Sequence, residues 1–488
     1  MSAQAVPDLV VAASSTWRRR LAGHLAWNLA SDVAARGASL WLSFACARML
    51  PVEGYGRLTF GLALAQYVWL AGDAMANAGY ATRELARTRL AQPQRAAGLA
   101  GAFWRARLTA AAVLFAVVAA VLAVTPNPAA TEAVLLAASV SFLTIAAFPD
   151  WALRAAEDFH GLALANLAGA ITLVATTAWV LPRWPYAWAA ALAWSGAFAV
   201  SAVVGLIRVR RRDVLQWLGP SLEWRGHLKR SGTFSLGAAA GIGIAQTPMI
   251  LAGMLCTPHE AGLFGSGYRL VIAVVGVFGF LWWPLFPLLT RERPDSTALR
   301  DVLVTFTGIV LLLGMPIALA CMIFPREILT FLFGAAYSDG ANALRIGGLA
   351  IPIYATSGLL EHVCLARGRE AFRARTCLIA LALMVITAIV LIPRFGGPGA
   401  AAGLLVGFLW TNASFIWILH RELPWRDMLL RAGAVLLLAS VLAAFWVGAC
   451  ALALPAFPML IAGAAGFAGA ALATGLLPSP TGRPREQA

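Results

Sequence analysis

The feature that most constrains this chain is a series of apolar windows, each about 20 residues long, separated by short polar segments. Fourteen can be marked, near 25–49, 58–81, 98–124, 132–153, 161–181, 186–207, 232–255, 265–289, 302–324, 344–366, 374–392, 399–419, 429–453 and 457–477. A helix rising 1.5 Å per residue needs about 20 residues to cross roughly 30 Å of hydrocarbon, and in lipid only helices or closed barrels satisfy every backbone group. The pattern predicts an all-α polytopic membrane protein with about 14 transmembrane helices. Composition points the same way: 60% of the 488 residues are hydrophobic and 12% are charged, a balance unlike that of a water-soluble domain.

A net charge of +15 could suggest a nucleic-acid partner, so the placement of the basic residues decides its meaning. "WRRR" at 17–20 is not followed by a short apolar core with a small-residue cleavage site, so the first span is expected to be retained with the amino terminus in the cytoplasm. In that orientation 29 of the 37 Lys and Arg residues lie inside. Arg57, Arg183, Arg326, Arg345 and Arg394 lie outside, and Arg36, Arg48 and Arg269 fall within spans. This is the positive-inside pattern expected of a multi-pass membrane protein with both termini cytoplasmic. The charge reads as topology with some attraction to anionic membrane lipids, and no nucleic acid is implied.

The six cysteines are scattered without metal-ligand spacing and no P-loop is present, so neither a metal nor a cofactor is expected. The longest outer loop, around "FPREILTFLFGAAYSDGAN", has about 19 residues. Function is therefore expected within the bundle or at its faces.

Internal similarity divides the chain. "RMLPVEGYGRLTFGLAL" (48–64) and "GMLCTPHEAGLFGSGYRLVIAV" (253–274) each pair Met-Leu with a Glu and an aromatic-Gly helix start. "AITLVATTAWVLPRW" (170–184) and "ALMVITAIVLIPRF" (382–395) end in Pro-Arg-aromatic, 211 residues apart. Two copies of a six-span unit are thus expected: a cytoplasmic segment 1–24, an amino-terminal lobe 25–207, a basic linker 208–231, a carboxy-terminal lobe 232–419, two further spans in 420–477 and a tail 478–488. An even span number makes the copies parallel repeats, an arrangement found in transporters that bind substrate between pseudo-twofold halves.

The offset of 211 carries Asp150 onto Glu361, a carboxylate near the inner end of the fourth helix of each lobe. Asp150 and Arg154 stand four apart, which suits a helix ion pair worth about 0.2–0.5 kcal/mol, with Trp151 as an interfacial anchor. A gate formed by Asp150 and Glu361, with Arg154 beside it, is the other reading. Ionisable residues within spans usually face a partner or a water-filled cavity, because lipid exposure costs several kcal/mol. In the first span Asn28, Asp32 and Arg36 recur every four residues on one face, and Arg48 follows. The Asp32–Arg36 pair reads either as an internal salt bridge or as the lining of an aqueous cavity in which Arg36 and Arg269 meet an anionic substrate. Arg48 is a snorkelling anchor or a ligand. Asp73 is a proton or ion-coupling site, a pairing partner or a helix-contact residue.

The ordered series "ARMLPVEGYG", "FPDWALRAAEDF", "EAGLFGSGYRL" followed by "WWPLFPLLTR", and "CLARGREAFRART" leading to "VLIPRFGGPGAAAG" resembles the Wzx-type polysaccharide-export flippases. These belong to the superfamily that also contains lipid II flippases and multidrug and toxin exporters. The resemblance runs from about residue 20 to 420. It implies two six-helix lobes around a central cavity, two extra carboxy-terminal helices, alternating access, and no enzymatic activity. The implied substrate is an undecaprenyl-pyrophosphate-linked oligosaccharide unit moved between leaflets for exopolysaccharide, O-antigen or capsule synthesis, with polymerase and export machinery as partners. The family element "PDW" followed by a glutamate corresponds to Pro149, Asp150, Trp151 and Glu157, although Arg154 and Ala155 stand where the family often has Gln-Gly. Arg269 in "GYRL" matches a commonly basic position. The competing readings are an ion-coupled multidrug exporter, which calls for an acidic cavity, and a membrane glycosyltransferase or polymerase, which calls for a large outer loop.

Overall fold

The computed structural model describes residues 27, 30–75, 78–125, 128–212, 214, 243–291 and 296–476. Among these residues the secondary structure is helical, and eleven helices are long and apolar enough to cross a membrane. The protein is a multi-pass membrane protein. The other three expected spans correspond to α1 (30–49), α2 (Val52–Met75) and the shorter α9 (Gly243–Leu255). α1 carries Asp32, Arg36 and Arg48 within its 20 residues and is the more polar for it.

The chain divides into two compact units, Met1–Leu50 with Gly61–Ala239, and Pro51–Phe60 with Ala240–Ala488. The first ten residues after Leu50 thus group with the second unit, outside the lobe 25–207 that the sequence suggests.

In the first unit follow α3 (Ala78–Ala91), α4 (Pro93–Val124), α5 (Ala129–Ala147), α6 (Asp150–Ala155), α7 (Phe159–Val180) and α8 (Ala187–Arg211). α4 packs on α5, α5 on α8, and α7 on α8. The second unit contains α10 (Pro258–Arg291), α11 (Thr297–Ile323), α12 (Pro325–Phe333), a 3-10 turn (Ala335–Gly340), α13 (Ala341–Ala366), α14 (Glu370–Phe395), α15 (Gly397–Leu419), α16 (Trp425–Ala451) and α17 (Ala456–Ala473). There α11 packs on α13, α13 on α15, and α14 on α15. The same chain of neighbours recurs with α11, α13, α14 and α15 in the places of α4, α5, α7 and α8. The segment read as the longest outer loop is folded into α12 and the 3-10 turn.

The Phe-Pro-Asp-Trp stretch ends a span by breaking it. Phe148 takes an extended conformation, and Pro149, which has no N–H, precedes the short helix α6. Trp151 then turns into protein. It is fully buried, 6.1 Å from the Phe103 ring, which lies 5.9 Å from Tyr80, and its carbonyl accepts from the Thr82 hydroxyl at 3.2 Å. This overturns the expectation of an interfacial anchor. Leu85, Ala96, Leu153, Leu162 and Val209 belong to the same apolar cluster, and the segment 82–97, left between two expected spans, is largely helix, with α3 packed over α6.

α6 closes in a Schellman turn: Asp158 N donates to Leu153 O at 2.9 Å and Glu157 N to Arg154 O at 3.0 Å. In the second unit, 211 residues on, Arg369 N donates to Cys364 O at 3.1 Å and Gly368 N to Leu365 O at 2.9 Å. The left-handed position is Gly368, at φ 69°, in the second copy and Glu157, at φ 55°, in the first. A side chain there costs about 1–2 kcal/mol against glycine, offset in part by the greater backbone freedom of glycine when unfolded. Glu157→Gly is therefore expected to stabilise the protein by about 0.5–1 kcal/mol, read as a higher thermal midpoint in detergent. A lower midpoint would mean that the Glu157 carboxylate makes a contact worth more than the strain.

Candidate functional site

Each unit holds charged residues where the sequence is otherwise apolar. In the first unit Asp32 is half-buried and Arg36 exposed on α1, one helical turn apart, and Arg48 is exposed near its end. Asn28 lies outside the described residues. Asp73 meets Arg107, Nη1 to Oδ1 at 2.8 Å, and the Arg107 guanidinium stands 5.5 Å over the Trp69 ring. Arg107 is only 3% exposed. The sequence reading counted it with the inner-loop arginines, but α4 begins at Pro93 and its first turns pack against α3, which carries Arg107 inside the unit. Of the three roles open to Asp73, the structure shows it as a pairing partner. The one hint in the sequence was the uninterrupted apolar run that begins directly after Arg107.

Asp150 and Arg154 form the expected i,i+4 pair at 3.6 Å, and both reach solvent, so its worth is a few tenths of a kcal/mol. Glu361 is engaged within the second unit, accepting from Arg373 Nε at 2.5 Å. Beside it His362 Nδ1 lies 2.7 Å from Gly358 O, and its ring is 5.8 Å from Trp282. The two carboxylates named for a gate each have a basic partner within their own unit. Arg269 is half-buried on α10, and the neighbouring Tyr268 hydroxyl donates to Ala245 O at 2.6 Å on α9.

Sequence reasoning missed a brace at the ends of the paired hairpins. In the first unit Asp158, the N-cap of α7, accepts from Gly161 N at 3.1 Å, from Arg208 Nε at 2.8 Å and approaches Arg212 Nε at 3.3 Å. Burial pushes the Asp158 carboxyl upward, but the Arg208 hydrogen bond, the Gly161 N–H and the two guanidinium charges outweigh it and hold the group below its ordinary value. In the second unit Arg369, the N-cap of α14, donates to Ile418 O at 2.8 Å and is paired with Glu422. The same brace is built with opposite polarity. The offset of 211, applied to Asp158 rather than Asp150, was the signal that leads to it.

Solved structures share this fold at low identity. A lipid II flippase, MurJ, in an inward closed conformation matches with a TM-score of 0.72 at 12% identity, over 92% of this chain and 100% of that one. An inward-facing multidrug resistance MATE family transporter of the MOP superfamily gives 0.64 at 15% identity, over 79% and 94%. The Vibrio cholerae MATE transporter VcmN gives 0.57 at 16%, over 84% and 98%. No curated protein matches by sequence. The pattern of the polysaccharide biosynthesis protein family, however, matches residues 22–292, more than half of the chain, and the chain belongs to that family.

Proposed function

We propose that the protein is a flippase for undecaprenyl-pyrophosphate-linked oligosaccharide units, carrying them from the inner to the outer leaflet of a bacterial inner membrane by alternating access, with both termini cytoplasmic. The observation that carries this reading is the basic side chains set into apolar helices, Arg36 on α1 and Arg269 on α10. A pyrophosphate brings at least two negative charges into a medium of reduced dielectric. Guanidinium groups hold phosphate oxygens in pairs there, through charge-assisted hydrogen bonds. Transport requires the protein to bind and release the lipid without breaking a bond in it.

Proteoliposomes containing an undecaprenyl-pyrophosphate-linked saccharide test this. Arg36→Ala and Arg269→Ala are each expected to weaken substrate binding about 10- to 150-fold, the equivalent of about 1.5–3 kcal/mol, with normal protein abundance. Arg36→Lys restores part at most, because an ammonium keeps the charge but loses the planar fork. If Arg36→Ala removes the protein and adding Asp32→Ala restores both abundance and transport, the pair is structural and the substrate binds elsewhere.

A second reading, an ion-coupled multidrug exporter, draws on the Asp73–Arg107 pair and on the fold shared with MATE transporters. Efflux of a cationic dye that depends on Asp73, with no movement of the lipid-linked saccharide, would favour it.

A further inference from the structure

α7 and α8 pack side by side, and each leaves large apolar side chains exposed in a stripe along one face. On α8 the stripe includes Leu192, Val203 and Ile207, all well exposed, and on α7 it includes Leu164 and Ile171. Both stripes end in polar residues at the same end of the hairpin. Continuing α8 from Val203 and Ile207 by helical steps of three and four reaches Arg210 and Arg211, both exposed and roughly 5–6 Å beyond Ile207 along the axis. Stepping back from Leu164 by four reaches His160, also exposed, whose ring makes an edge contact with Trp27 at 4.9 Å. Tryptophan and arginine in this order, just past an apolar belt, are what a headgroup layer favours.

The chemistry of the hairpin end leaves it positive. Its buried acid, Asp158, is 2% exposed and taken up by Arg208 and Arg212, so that carboxylate neither repels an anion nor neutralises Arg210 and Arg211. Among the described residues Glu157 is the exposed acid of the adjoining turn, and with Asp213 of the sequence also counted, the four arginines Arg208, Arg210, Arg211 and Arg212 still exceed the three acids Glu157, Asp158 and Asp213. We propose that Arg210 and Arg211 form a docking site for the headgroup of an anionic phospholipid, whose acyl chains lie along the stripe of Val203 and Ile207. The site is separate from the residues assigned to substrate, and no substrate is needed to observe it.

The test uses the full chain reconstituted in phosphatidylcholine vesicles with trace spin-labelled phosphatidylglycerol or phosphatidylcholine, comparing the association of the two labels. The protein is expected to prefer phosphatidylglycerol. At about fivefold per arginine, the Arg210→Gln/Arg211→Gln variant lowers that preference at least fivefold, whereas Arg210→Lys/Arg211→Lys keeps it and Glu157→Gln increases it. An unchanged preference in the double glutamine variant overturns the proposal. So does displacement of the labelled lipid by millimolar inorganic phosphate, which would make the arginines a site for a free anion. Because the assay contains no lipid-linked saccharide, its failure leaves the transport reading untouched, and loss of transport leaves this site untouched.

Discussion

Gly56→Ala is expected to remove most folded protein from the membrane. Gly56 sits in the first turns of α2, within the second unit. A Cβ there would overlap Pro258 O and stand 2.7 Å from the Gly262 nitrogen at the start of α10, and a Cβ on Gly262 would in turn overlap the Val52 carbonyl oxygen. Two helix starts therefore touch backbone to backbone, the close approach that small residues permit between membrane helices. The obstructing atoms are main chain, so no rotamer change relieves them. The cost should reach or exceed about 3 kcal/mol, the upper end for overpacking. Monodisperse yield in detergent and the thermal midpoint measure it. Gly37→Ala, whose Cβ meets nothing within 4 Å, serves as the tolerated control. A Gly56→Ala protein that melts within a few degrees of the parent would show that the two helix starts can separate without loss.

The second large effect is expected at Asp73 and Arg107. Arg107 is 3% exposed and Asp73 18%, so removing either leaves a charge that water reaches poorly. Breaking such a pair costs about 3–5 kcal/mol, whereas replacing both partners by apolar residues is often close to neutral. Asp73→Leu and Arg107→Met should each lower the unfolding free energy by about 3 kcal/mol. The double variant should recover at least half of the summed loss, because it leaves no buried charge behind. Additive losses in this double-mutant cycle would show that the two groups stand near each other without depending on each other. Trp69 gives a further check: Trp69→Leu removes the ring beneath the guanidinium and should cost Arg107 about 0.5–2 kcal/mol.

The spans were legible because lipid imposes a length and a polarity that every crossing segment must meet, and α4, α5, α7, α8, α10, α11 and α13 to α17 each overlap an apolar window in the sequence, whereas α12 lies between two of them. The expectation of a repeat rested on local landmarks, a Met-Leu pair before a helix and a Pro-Arg-aromatic end, and the same order of helix neighbours recurs in the two units. The depth of Arg107 was not, since the start of α4 depends on α3 and α6 packing over it, and no window of α4 alone contains that information. Trp151 failed for the same reason. A tryptophan next to charged residues suits an interface as well as a core, and only the arrival of Phe103 and Tyr80 from other helices decides between them. Asp158 and Arg208 are 50 residues apart, so their pairing became visible only with the hairpin folded.

The reversed polarity of the two braces bears on the order in which the chain can assemble. Asp158 caps α7 with its own side chain, accepting from Gly161 N three residues on, and an acid at a helix start agrees with the helix dipole. That start is encoded locally and can form as soon as the segment leaves the ribosome. Arg369 supplies no side-chain cap to α14, and a cation at this end opposes the dipole. Its partners, Ile418 O and Glu422, lie at the far end of α15. The corresponding corner of the second unit is thus fixed only after a whole further span has been made, so two hairpins of the same packing give an early-setting corner and a late-setting one in the same chain.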